Sequence, residues 1–163
     1  MERGSRELYR ERTGWPLWIH LIVLGATGGA VLGPLLDPSA GTLEPVTRAL
    51  TAGATLLLVA LIHLFLGGLT VVVEPGRIRV GLGRGWPVRT TIPLDEVASL
   101  ESVEYRPIRD FGGWGVRGPR DRRIWSARGS RAVELTLTDG RVVLIGTDEP
   151  RTLENRIRQA MTI

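Results

Sequence analysis

WPLWIHLIVLGATGGAVLGPLL, residues Trp15 to Leu36, contains no Asp, Glu, Lys or Arg, and a second stretch of the same kind runs from Ala49 to Val73. A helix rises about 1.5 Å per residue, so the first stretch reaches roughly 33 Å, against about 30 Å for the hydrocarbon core of a bilayer. Two such stretches in one short chain predict a membrane helical hairpin. Its parts are a first transmembrane helix over 15–36, a short external connector over 37–48 and a second transmembrane helix over 49–70. Ahead of it lies a segment over 1–14, and after it a domain over 71–163.

Orientation follows from where the basic residues fall. Arg3, Arg6, Arg10 and Arg12 precede the first span, and Arg77, Arg79, Arg84 and Arg89 follow the second, whereas the connector carries Arg48 alone. Basic residues beside the spans stay inside, so both termini are expected in the cytoplasm and the protein in the cell membrane. A cleaved signal peptide is the competing reading of the first stretch. Its apolar run exceeds the usual 7–15 residues of such a signal, and Asp37-Pro38-Ser39-Ala40 makes a poor cleavage site.

Composition narrows the chemistry. The chain has 163 residues, a net charge of +4 and no cysteine, so it holds no disulfide and no thiol nucleophile or thiolate ligand. Its basic residues are all arginine. After Leu69 the apolar period shortens to two. Val71/Val73, Ile78/Val80, Val88/Ile92, Val97–Tyr105, Ile124–Ala127, Val133–Leu137 and Val142–Ile145 read as seven short strands. Asp139-Gly140 between alternating residues is a strong hairpin signal. Leu153, Ile157 and Met161, four residues apart, predict a closing amphipathic helix, with Thr147 or Asp148 as its cap.

Seven strands and a C-terminal helix follow the order of the pleckstrin-homology (PH) fold. The stretches Tyr105-Arg-Pro-Ile-Arg-Asp-Phe-Gly-Gly-Trp-Gly-Val-Arg117 and Val133-Glu-Leu135 through Leu144-Ile-Gly-Thr-Asp148 resemble uncharacterised bacterial proteins with two transmembrane helices and a C-terminal PH-like domain. The resemblance implies an α+β domain, an antiparallel, partly open barrel of about seven strands capped by the last helix. It implies no catalytic residue. PH domains that bind inositol phosphates use basic residues around the first two strands, here Arg77, Arg79, Arg84 and Arg89.

Several residues are candidates for contact. Between Arg106 and Arg131 lie Arg106, Arg109, Arg117, Arg120, Arg122, Arg123 and Arg128, with Trp114 and Trp125 among them. Each Arg beside an anionic surface is worth about 1 kcal/mol; a solvated charged loop would use the same composition. Trp86, in the Gly85-Trp86-Pro87 turn, is either a headgroup anchor or a side chain folded onto the domain. Gly25, Gly29 and Gly33 repeat every four residues and suit close helix packing, against the second span or another copy. His20 and His63, one per span at matching depth, are expected to face each other. Phe111-Gly-Gly-Trp-Gly115 reads as a tight bend where only glycine fits.

No catalytic constellation, metal set or cofactor motif is complete in these residues. Val23-Leu-Gly-Ala-Thr-Gly-Gly29 imitates a dinucleotide-binding turn but lacks the surrounding βαβ units. Nucleic acid is not expected as a partner. The expected protein is non-enzymatic and membrane-anchored. Its domain would bind anionic lipid headgroups or a protein partner at the cytoplasmic surface. The alternatives are a small assembly subunit of a larger membrane complex, including a homo-oligomer, and a transport or proton-handling role for the His pair.

Overall fold

The turn at Pro75-Gly76 sets the register of the first sheet. In the computed structural model, which describes residues 7–36, 45–83 and 85–162, Gly76 takes φ 79° and pairs Glu74 with Arg77 and Leu69 with Leu82. These residues bound strands β2 (Leu69–Glu74) and β3 (Arg77–Leu82). The strand β4 (Val88–Pro93) adds to β3. On the far side of β2 lies β1 (Tyr9–Thr13), with Tyr9 opposite Val73 and Thr13 opposite Leu69.

Two helices therefore interrupt one sheet. The first, α1 (Leu17–Leu36), leaves the end of β1; the second, α2 (Pro45–Leu66), returns to the start of β2. Their surfaces are apolar and exposed on many sides, as at Leu21, Leu24, Leu50 and Leu57. Thr27, Thr51 and Thr55 each turn their hydroxyl back to the carbonyl four residues earlier, which satisfies the group within its own helix. Among the described residues, Val46–Leu64 is long and apolar enough to cross a membrane, while Leu17–Gly33 is a shorter apolar helix.

The second sheet contains β5 (Val97–Glu104), β6 (Gly115–Arg117), β7 (Arg122–Ser126), β8 (Arg131–Leu137) and β9 (Val142–Gly146), in the order β5-β8-β9-β7-β6. Every pairing within it is antiparallel except β7 with β9. Alternation places Val71, Val73, Ile78 and Val80 of one sheet and Val133, Leu135 and Ile145 of the other in a common core. A smaller apolar cluster forms where the short helix α3 (Pro107–Phe111) brings Tyr105 and Phe111 to Ile124, Ala132 and Leu144. The last helix, α4 (Pro150–Met161), closes the larger core with Leu153, Ile157 and Ala160.

All seven expected strands form, and the single partly open barrel is corrected to two sheets of four and five strands, with no closed barrel among the described residues. Two strands are additional, β1 and β6. The domain thus begins ahead of the hairpin, not at residue 71. Ala160, rather than Met161, completes the buried face of α4, because Met161 is 42% exposed. The N-cap of α4 is Glu149 without a side-chain bond, while Thr147 Oγ1 accepts the Glu149 N–H at 3.0 Å. Connector residues 37–44, Arg3, Arg6 and Arg84 lie outside the described residues.

The free side of β5 is occupied by α4. Arg158 donates to the Leu100 carbonyl at 2.9 Å, and Ser102 Oγ donates to Glu154 at 2.6 Å. The Glu154 carboxyl is held below the usual carboxylate range, the Ser102 hydrogen bond contributing most and that from Arg158 next. The bond to Leu100 also takes up a polar group that an edge strand would otherwise offer to another chain.

Candidate functional site

The hairpin root gathers Trp15, Trp18 and Trp114 beside His20 and His63. The β1–β2 pairing brings Thr13 and Leu69 together, so the helix ends they lead to start side by side. Trp15 lies 6.1 Å from the His20 ring and 5.8 Å from the His63 ring. The two imidazoles are 5.5 Å apart, as their depth in the sequence predicts. His63 Nδ1 lies 3.0 Å from the Val59 carbonyl. No group of three metal-ligating side chains occurs among the described residues.

The second sheet reaches the same root through the glycine-rich bend. Gly112 (φ 72°) and Gly113 (φ 123°) end α3, their N–H groups donating to the Ile108 and Pro107 carbonyls at 2.9 Å. Gly115 takes φ 110°. A Cβ at Gly112 or Gly113 would meet open space. The glycines are therefore required by backbone conformation, not by crowding. The bend presents Trp114, whose ring packs edge-on to Trp18 at 6.4 Å and whose Nε1 donates to the Gly129 carbonyl at 2.9 Å.

The arginines between 106 and 131 divide between two ends of the domain. Arg106 and Arg109 line a recess with Ser130, the residue after the Gly129 that Trp114 binds, and Arg117 lies against Trp114. Arg128 is there too, but Asp148 accepts from its Nη2 at 2.6 Å and from its Nε at 3.2 Å. That bond, with the carboxylate's charge, raises the Arg128 pKa further. Arg120 and Arg123 sit at the opposite end, beside Thr90, Thr91 and Ile92 of β4, whereas Arg122 starts there and its guanidinium returns to Phe111 of α3. The strand β7 runs from Arg122 there to Ser126 beside Gly115. At about 3.3 Å per residue that is roughly 13 Å. Arg122 is bound to Glu134 at 3.3 Å and lies over Phe111.

Trp86 is folded onto the domain. It takes φ 60° and lies over Gly81, where a Cβ would come within 2.8 Å of its ring. Arg79 caps the ring at 5.4 Å. Arg79 and Arg77 also bind the carboxylate of Glu74, which is fully buried. Two of the basic residues at the first strands are thereby engaged within the domain. A Cβ at Gly25, Gly29 or Gly33 would meet no atom within 4 Å, so their face is turned away from α2.

One important group was not singled out from the sequence. Glu11, in the middle of β1, accepts from Thr147 Oγ1 (2.8 and 2.7 Å to its two oxygens) and from the Asp148 N–H (3.2 Å). Tyr9 Oη and Thr13 Oγ1 also donate to it, at 3.2 and 3.3 Å. It ties the first sheet to the corner between β9 and α4. Burial, then the charge of Glu11, pushes the Tyr9 hydroxyl up to about 12 from an ordinary 10.0. The native state holds this proton more tightly than the unfolded chain. Its stabilising effect is complete below about pH 10 and is lost as pH rises through about 12. Thermal midpoints measured from about pH 9 to 12 should fall, and Tyr9→Phe should flatten that fall; an unchanged slope would rule Tyr9 out as the cause.

No protein-family model matches the chain, and no curated protein matches it.

Proposed function

We propose that the protein is a non-enzymatic, two-span membrane protein. Its PH-like domain is held against the cytoplasmic face of the bilayer, where it contacts anionic headgroups. The observation that carries this reading is the insertion of the helical hairpin between two paired strands. A domain joined by a flexible linker could turn freely, whereas this one is joined twice, through adjacent strands. The same end of the sandwich then always faces the surface from which the helices leave. Both helix roots also lie on one side, which agrees with an even number of spans and with the distribution of arginine.

Two further observations support it. The exposed leucines of α1 and α2 cover both helices with apolar side chains, the kind of surface that marks contact with a membrane or a partner. Trp15, Trp18 and Trp114 collect at the root, where aromatic residues favour the headgroup level. The arginines expected to meet lipid are then Arg106, Arg109 and Arg117, not Arg120 and Arg123.

A second reading, an assembly subunit, is favoured by the open face at Gly25, Gly29 and Gly33, which suits another span.

The absence of cysteine makes topology directly testable. Single variants Ser39→Cys and Ser130→Cys are treated in intact cells with a thiol reagent that does not cross membranes. Labelling of Ser39→Cys alone is expected, with Ser130→Cys labelled only after the cells are opened. Labelling of both in intact cells would defeat the two-span arrangement. For the headgroup contact, the full chain in anionic vesicles should show a higher thermal midpoint than in neutral ones. Arg106→Ala with Arg109→Ala should remove most of that difference, and about 1 M salt should do the same. Loss on Arg120→Ala with Arg123→Ala instead would reverse the assigned orientation.

A further inference from the structure

Beside the hairpin root lies a cavity of about 360 Å³, within the size range of small-ligand sites. One wall is the start of α1 and the residues before it, Ile19 and Trp15. The second is the open end of the first sheet, Leu82 and Val88. The third is the edge strand β6 with Trp114 and Arg117. The lining is largely apolar, yet the cavity is not sealed inside the core. Its Trp15–Ile19 wall adjoins Leu17, Trp18 and Ile22, which are exposed on α1.

Among the described residues, Arg117 is the one charged side chain on this lining. Its guanidinium makes a single hydrogen bond among the described residues, from Nε to the Trp114 carbonyl at 3.3 Å. That contact ties the side chain to the glycine bend and leaves the Nη donors without a hydrogen bond among the described residues. A guanidinium held by one nitrogen and open at the others is suited to two parallel bonds with a phosphate. The partly paired Arg128 does not offer this, because Asp148 occupies it.

We propose that this cavity takes part of one acyl chain of an anionic phospholipid, with Arg117 binding its phosphate. The inference rests on the membrane reading above and names the ligand of that surface. An apolar cavity continuous with the flank of a membrane helix can be filled by a chain from the adjoining leaflet. The cation at its mouth selects the charge of the headgroup. The site differs from an inositol-phosphate pocket on the first strands, since Arg77 and Arg79 are engaged by Glu74.

The test uses the full chain in vesicles containing phosphatidylglycerol or phosphatidylcholine with a photoactivatable acyl chain. Crosslinked peptides are then mapped by mass spectrometry. Labelling near Trp15–Ile19 or residues 114–127 is expected, with phosphatidylglycerol favoured about five-fold: both lipids carry the phosphate, but the choline cation of phosphatidylcholine offsets about one Arg contact. Arg117→Glu should abolish that preference, and Ile19→Trp should reduce labelling at the junction by both lipids. Arg123→Glu, at the other end of the domain, should change neither. Equal labelling by the two lipids, labels confined to the outer faces of α1 and α2, or a preference that survives Arg117→Glu would each overturn the proposal. If Arg117→Glu does not fold, Arg117→Gln and Ile19→Trp decide the matter by the same criteria. Extraction of the wild-type chain from membranes by alkaline carbonate is measured in parallel. Extraction would defeat the membrane reading itself, whereas retention with no junction labelling would defeat only the lipid site.

Discussion

Replacing Gly67 by alanine is expected to lower the thermal midpoint of the detergent-solubilised chain by about 10 °C, from a loss of about 3 kcal/mol. A Cβ at this position would collide with the His63 carbonyl oxygen, a backbone atom in the last turn of α2. The same oxygen accepts the Gly67 N–H at 3.1 Å, so moving it away breaks the bond that ends the helix. The next residue leaves no slack. Gly68 has φ 141°, is buried, and its Cβ would come within 3.0 Å of the Thr13 carbonyl. Its own carbonyl accepts from the Gly83 N–H at 2.8 Å. Gly68→Val should therefore be at least as damaging as Gly67→Ala. Gly53→Ala, in α2 with open space around it, is the control and should shift the midpoint by no more than about 2 °C. Equal midpoints for Gly67→Ala and Gly53→Ala would show that the helix-to-strand joint tolerates movement.

Glu11→Ala is expected to cost about 2–3 kcal/mol, since it leaves several donors without an acceptor at once. Thr147 is 3% exposed, and among the described residues Glu11 is the acceptor of its hydroxyl proton. The Asp148 N–H loses its bond to the same carboxylate at the corner before α4. Thr147 Oγ1 also receives the Glu149 N–H, so its orientation sets the start of that helix. Glu11→Gln keeps the shape and one acceptor oxygen, and should recover roughly half the loss. By contrast, Glu7→Ala removes an exposed pair with Arg10 and should change stability by less than about 0.5 kcal/mol. Thermal unfolding of the three variants orders them. A Glu11→Ala midpoint no lower than that of Glu7→Ala would mean the two sheets do not depend on this carboxylate.

What could be read from the sequence follows from which signals are local. The apolar strands announced themselves because residues such as Val71, Val73, Ile78, Val80, Val133 and Leu135 recur at every second position. The strand β1 did not, since its inward positions are Tyr9, Glu11 and Thr13, and a strand that buries polar groups carries no apolar alternation. Its pairing with β2 depends on residues far along the chain. The short β6 was hidden behind the glycines that precede it. Two sheets replaced one barrel because β4 pairs with β3 and β5 with the distant β8 instead of with each other, a choice that no local signal specifies. In the candidate site, the facing of His20 and His63 was legible from depth alone. The division of the arginines was not, because closeness in sequence says nothing about which end of a strand a residue occupies.

The position of the hairpin has a consequence for the order of assembly. Thr13 pairs with Leu69, far along the chain, and both helices are synthesised between them. The strand made first is therefore among the last to find a neighbour. Until the helices have packed and brought Gly14 beside Gly68, β1 has no ladder to join, and the carboxylate of Glu11 has no Thr147 to bind. Completion of the sheet thus reports that the hairpin has formed, and a chain whose helices fail to pair keeps an open edge on which quality control can act.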